Sequence, residues 1–227
     1  MALTNVLLLS QIAGYIISLI LSLCITVPMS MHQDEFSGHC LLFSGGTWGP
    51  DDGQLQVSWA SKAYCNYVIV VGVLMFIVSC VQIYRLSLFM YKGIDSSFLS
   101  AFLEAVGCML ICGFAVSAAV IVTLGFMTWC NTIVQRFPSC EDAAGQDIDK
   151  KDNIATKGFY VQIGSTQFGA WGAFATWVGL AVFSLLKVCR YHQLQNIQVS
   201  MYRERQRLVN ENESPPVARS SPPVPVE

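Results

Sequence analysis

Hydrophobic and polar residues occupy separate blocks of this chain. Residues 1–33, 63–84, 105–135 and 158–186 contain no Asp, Glu, Lys or Arg, and together they make up half of the sequence. Each block is long enough to hold the ~20 apolar residues that cross the hydrocarbon core of a bilayer. The pattern predicts four transmembrane helices, over roughly 5–28, 65–84, 99–127 and 161–187. The first run begins after Asn5 and reaches Pro28. It differs from a secretory signal in having no positive charge before it, an apolar core that is too long, and no Ala-x-Ala site after it. It therefore reads as a retained helix. Residues 1–190 form a four-span membrane domain, with large loops at 29–64 and 128–160, and residues 191–227 form a tail.

Composition sharpens this picture. Of 227 residues, 53% are hydrophobic and 12% are charged, whereas soluble domains run near a quarter charged. A soluble domain, a disordered chain and a nucleic-acid binder are excluded, and the bilayer is the implied solvent. Lys and Arg lean to one side. Arg85, Lys92, Lys187, Arg190, Arg203, Arg205, Arg207 and Arg219 follow spans two and four, against Lys62, Arg136, Lys150, Lys151 and Lys157 in the large loops. Cysteines divide the other way, because Cys40, Cys130 and Cys140 lie in those large loops and Cys65 stands at the head of span two on the same side. An even set confined to one face points to disulfides in an oxidising compartment. Both termini are therefore expected in the cytoplasm, with the protein in the plasma membrane or a secretory-pathway membrane. Four cysteines allow three pairings. The local one, Cys40 with Cys65 and Cys130 with Cys140, is favoured over bridges between the loops.

The first large loop contains two strand-like runs, CLLF at 40–43 and the alternating QLQVSW at 54–59, with the glycine-rich SGGTWGPDDG between them as a turn. A small antiparallel sheet stapled by a disulfide is expected. His32, Asp34, Glu35 and His39 cluster just beyond span one, but their spacing matches no established metal pattern. The second loop is polar and acidic through EDAAGQDIDKKDN, as a solvated loop is.

Several stretches carry a resemblance: MALTNVLLLSQ at the start, FSGHCLLF (36–43), SSFLSAFL (96–103), GFMTWCNTI (125–133), SCEDAAGQDID (139–149) and STQFGAWGAFATW (165–177). Through them the chain resembles the transmembrane protein 179 family, within the claudin-like four-span superfamily. The first loop departs from claudins proper in lacking a Gly-Leu-Trp motif before a closely spaced cysteine pair. The resemblance implies an all-α membrane fold, a four-helix bundle with a small disulfide-tied antiparallel sheet in the first outer loop. It implies no chemistry.

Small residues recur four apart on two spans: Gly113 and Ser117 on span three, Gly169 and Ala173 then Ala175 and Gly179 on span four. That spacing lets helix backbones approach closely in lipid, within one bundle or against a partner. Glu104 is an acid close to a span's interior and reads as an interface anchor at the cytoplasmic end of span three. Cys108 and Cys112 read as small packing residues. Cys189, beside Lys187 and Arg190 at the membrane boundary, is a candidate for S-palmitoylation. Beyond span four, Leu194, Ile197, Met201 and Leu208 recur at helical spacing among arginines, which suits a helix on the membrane surface or a continuation of the span. In the proline-rich end, Arg219, Pro222 and Pro225 have the spacing of an SH3 ligand. No catalytic motif, metal site or cofactor fingerprint is present. The expected role is that of a non-enzymatic protein acting by lateral association, as an accessory or scaffold subunit of another membrane protein. A homo-oligomeric pore is the alternative.

Overall fold

A computed structural model describes residues 2–49, 54–92, 98–146 and 156–213. Four long helices dominate it: α1 (Ala2–Glu35), α2 (Ala63–Lys92), α3 (Phe98–Ile133) and α4 (Phe159–Glu213). All four are long and apolar enough to cross a membrane, and the chain is a multi-pass membrane protein. Each helix overruns the hydropathy pattern. α1 has 34 residues and passes through Pro28, and α4 has 55. At 1.5 Å per residue, α1 is about 50 Å long against a hydrocarbon core of about 30 Å. Hydropathy marks the bilayer and not the helix end, so polar residues such as Gln33 and Asp34 continue the helix outside it.

α1 packs tightly against both α2 and α4, and α4 packs against α3, while α2 and α3 touch only sparsely. Small residues set the close crossings, as expected where lipid supplies no hydrophobic force between helices. A side chain at Gly14 would strike Leu180, and one at Gly172 would press on Leu21. One at Gly169 would meet Cys24 and Ile25, and one at Gly72 would meet Ile25 and Thr26. Polar links reinforce the contacts. The Ser79 hydroxyl donates to Ser18 Oγ at 3.0 Å, and Thr123 Oγ1 accepts from Gln167 and Trp171.

A second, aromatic layer caps one end of the bundle. Phe36, Leu41, Leu55, Trp129, Ile133, Ala143 and Phe159 form a buried cluster separate from the helix core. The sheet consists of β1 (Gly45–Trp48) and β2 (Leu55–Ser58), antiparallel, with Trp48 opposite Leu55 and Gly45 opposite Ser58. The expected position of the first strand is corrected here, since CLLF is a buried turn and its neighbour GGTW is the strand. Leu41 and Leu42 are fully buried, and Phe43 takes a φ of 60°. The Phe43 N–H donates to the Gly125 carbonyl of α3 at 3.1 Å. Leu42 sits where a Gly125 side chain would be, 2.8 Å from its Cβ position. The apolar run thus docks onto α3 and has no strand partner. Gly46 belongs to β1 because any side chain there would collide with the Gln56 carbonyl.

Two disulfides tie this layer down. Cys40–Cys65 joins the buried turn to the head of α2, and Cys130–Cys140 closes the chain beyond α3, where a short 3₁₀ turn (Glu141–Ala143) follows. The first bridge spans 25 residues of sequence, worth about 3 kcal/mol in the chain-entropy account. Peptide mapping without reduction is expected to recover Cys40–Cys65 and Cys130–Cys140. The Cys40→Ala/Cys65→Ala double variant is expected to lose stability on that scale in thermal unfolding. Recovery of bridges between the two loops would contradict this arrangement.

Candidate functional site

Away from the aromatic cap, the bundle closes on a charged centre. Glu104 of α3 is 3% exposed, so it is no headgroup-reaching anchor. Its Oε2 accepts from Arg85 of α2 at 3.1 Å and from Lys187 of α4 at 3.3 Å, and its Oε1 accepts from the Gln11 amide of α1 at 3.0 Å. One carboxylate therefore holds a partner from each of the other three helices. The two cations are differently placed, with the Arg85 side chain 32% exposed and that of Lys187 16%. Both reach inward from the edge of the bundle to the buried carboxylate. Arg85 also donates to Ser100 Oγ at 3.1 Å and lies over the Phe89 ring.

A chain of polar contacts continues inward from this centre. Tyr15 of α1 and Cys108 of α3 meet at 3.4 Å, and Cys108 lies 3.6 Å from Ser184 of α4. The Tyr15 ring meets Trp177 edge-on with centroids 5.8 Å apart. Because α2 and α3 touch sparsely, a cavity of about 190 Å³ lies between them. Val78 and Gln82 of α2 form one wall and Gly107, Ile111 and Phe114 of α3 the other, with Tyr15 and Trp177 behind. On two of these lining residues a buried polar atom, Gln82 Oε1 and Trp177 Nε1, has no hydrogen-bond partner among the described residues.

The residues singled out in the sequence lie in several places. Gly169 and Ala173 face α1 inside the bundle. Gly113 and Ala175 point outward, and side chains added at Gly113 or Gly179 would meet nothing within 4 Å. Ser117 hydrogen-bonds Tyr67 of α2. Cys108 is buried, Cys112 is half-buried and Cys189 is exposed on α4. His32 is buried against Phe36, and His39 stacks on Trp59 with centroids 4.8 Å apart. Both histidines serve aromatic packing. Among the described residues no three His, Cys, Asp or Glu side chains converge as metal ligands. α4 continues as exposed helix past Leu194, Ile197, Met201 and Leu208. Arg219, Pro222 and Pro225 lie outside the described residues.

The four-way centre on Glu104 escaped the sequence reading because its partners stand 19, 83 and 93 residues away. A signal was nevertheless present. Arg85, Glu104 and Lys187 each stand at the edge of a charge-free block, and antiparallel spans bring those three edges to one depth.

Over residues 7–209 the chain matches the family model described as Transmembrane protein 179/179B Claudin domain. The match covers most of the chain, which therefore belongs to that claudin-like family. No solved structure matches it.

Removing the carboxylate would strand two cations at the membrane boundary. Glu104→Ala is expected to cost about 3 kcal/mol, the scale for breaking a buried ion pair from one side. Gln11→Leu, which removes one hydrogen bond to a charge, should cost about 2 kcal/mol. Thermal unfolding of the purified protein in lipid nanodiscs reads both. Equal stability of Glu104→Ala and the parent would contradict the assignment.

Proposed function

We infer that this member of the transmembrane protein 179/179B claudin-domain family is a non-enzymatic accessory or scaffold subunit, which acts by lateral association with another membrane protein. The observation that carries the reading is where polar and small groups sit. Its membrane-embedded polar side chains mostly bond to one another inside the bundle, as Glu104 and Ser79 do. Outward, Gly113 on α3 and Ala175 and Gly179 on α4 leave shallow faces where a neighbouring helix backbone can come close. The aromatic cap adds a compact surface with the short β1–β2 sheet on it.

The expected topology places both termini in the cytoplasm and the disulfide-bonded cap outside or in the lumen, following the lean of Lys and Arg and the confinement of the bonded cysteines to one end. Exposed Cys189 would then lie within reach of cytoplasmic acylation, and the proline-rich end could meet an SH3-type domain. A homo-oligomeric pore is the second reading, in which the same outward small-residue faces join copies of this chain.

The test is in-cell cross-linking, purification in mild detergent and identification of what accompanies the protein. A different membrane protein in near-stoichiometric amount is expected. Gly113→Leu and Gly179→Leu should reduce it several-fold while leaving the fold intact, since each side chain enters open space. Gly169→Leu should instead destabilise the bundle itself. Recovery of only self-assemblies of fixed size would overturn the accessory reading in favour of the pore, and recovery of the lone protein would overturn both.

A further inference from the structure

The charged centre on Glu104 is not neutral. Arg85 and Lys187 share one carboxylate, both on its Oε2, so a positive charge is left over where the bundle meets the edge of the bilayer. Arg190, one turn further along α4, adds another and has no ion pair among the described residues. Arg85 is not used up by its partners. Its Nη2 donates to both Ser100 and Glu104, while Nη1 is neither bonded nor closed off, and the side chain is 32% exposed. An open cationic donor therefore stands beside the buried carboxylate.

That donor stands at one end of the cavity between α2 and α3. Gln82 and Gly107 line the cavity. Arg85 follows Gln82 on α2, and Glu104 precedes Gly107 on α3, each by one helical turn. Because the two spans run antiparallel, both steps lead to the same end, on the side of the chain termini. From there the wall runs toward the middle of the bilayer as Val78, Leu110, Ile111 and Phe114. Leu110 and Phe114 are exposed, so the trough is open toward the surrounding lipid. A side chain added at Gly107 would meet nothing within 4 Å, which leaves the trough unobstructed next to the charged centre.

An apolar trough with an unbalanced cation at its boundary end has the polarity of a phospholipid in that leaflet, whose phosphate lies at the boundary and whose chains point to the middle. A partner's helix, about 10 Å across, is too wide for a cavity of about 190 Å³, whereas a single acyl chain is slender enough to enter. Charge then selects among phospholipids. A zwitterionic head brings its own cation to a place already in excess of positive charge. An acidic head supplies the missing anion, as in other basic pockets at span ends. Arginine suits phosphate in particular, because its planar fork offers N–H donors to neighbouring oxygens.

We propose that the cleft between α2 and α3 binds an acidic phospholipid of the leaflet on the side of the termini, with its phosphate on Arg85 Nη1 and one acyl chain along Val78, Leu110 and Phe114. The other chain stays in the bilayer. The lipid offsets the excess charge of the Glu104 centre and fills the gap where α2 and α3 pack thinly. The site is independent of which protein the chain accompanies.

The test uses the full-length protein in phosphatidylcholine nanodiscs that contain a small fraction of phosphatidylglycerol carrying a diazirine and an alkyne on one acyl chain. Labelling is expected to saturate, to map to peptides of α2 and α3 around Val78, Leu110 and Phe114, and to be competed by unlabelled phosphatidylglycerol. A phosphatidylcholine probe with the same chains should label those peptides about tenfold less, the scale for one to two unbalanced charges at a membrane surface. Glycerophosphoglycerol, the same head without chains, should not compete. Arg85→Gln should bring the two probes to within about twofold of each other, and Gly107→Leu should abolish the labelling by filling the trough. The comparison of the two probes on the parent protein needs no variant, so it decides the matter even if a substitution fails to fold. Equal labelling by both probes, labelling spread over all four helices, competition by the free head, stronger competition by oleate than by phosphatidylglycerol, or an unchanged preference in folded Arg85→Gln would overturn the proposal.

Discussion

A carboxylate removed from water at the edge of a membrane has to be paired, and in this protein that need organises the bundle. Glu104 draws Arg85, Lys187 and Gln11 onto itself, so α1, α2, α3 and α4 are joined through one side chain. Elsewhere the helices are held by shape, through glycines that let neighbours approach and a few hydroxyls that bond across. Shape contacts of that kind allow a helix to slide or rotate by a small amount at little cost. A charge with partners on three other helices does not, because every displacement lengthens a charge-assisted bond in a medium of low dielectric. Arg85 matters most in this respect, since it bridges α2 and α3 where their packing is thin. The same thin packing leaves the lipid-facing cavity, so the ion pair and the cleft are two consequences of one geometry.

The opposite end is fixed by different means. There the chain leaves the bilayer, and aromatic rings, a two-stranded sheet and two disulfides replace charge as the organising force. Trp59 stacks between His39 and Trp129, Phe36 meets its edge, and Trp48 donates to the Thr132 carbonyl of α3. The cap is thereby anchored to the ends of α1, α2 and α3. A bundle fixed at both ends, with outward small-residue faces in between, suits a subunit that presents a rigid surface to a neighbour.

How much of this could be read from the sequence depends on the range of the interaction. The number and type of helices follow from local composition, because a charge-free block of twenty or more residues has few other fates. The claudin-like fold was likewise legible from short stretches spread along the chain, and the family match bears it out. Helix ends were less legible, since α1 and α4 continue through polar residues that hydropathy excludes. The first strand was misplaced because CLLF looks like a strand in isolation, and only its docking onto Gly125 makes it a turn. Gly45 and Gly46 look like turn residues, and only the close passage of the Gln56 carbonyl makes one of them a strand requirement. Glu104 was read as a solitary anchor because its partners are remote in sequence. The unpaired atoms of Gln82 and Trp177 had no sequence signal, since burial without a partner is a property of packing alone.

The central claim is that Glu104 couples the four helices through its charge, and a mutant cycle measures that coupling most directly. Glu104→Gln is made in the parent protein and in a background carrying Arg85→Met and Lys187→Met, and unfolding free energies are compared in the same nanodiscs. With both cations gone, the carboxylate has little left to compensate, so the account predicts that Glu104→Gln costs much less there than in the parent, or even stabilises. An equal cost in the two backgrounds would contradict it, and would mean that Glu104 contributes through packing rather than through its charge.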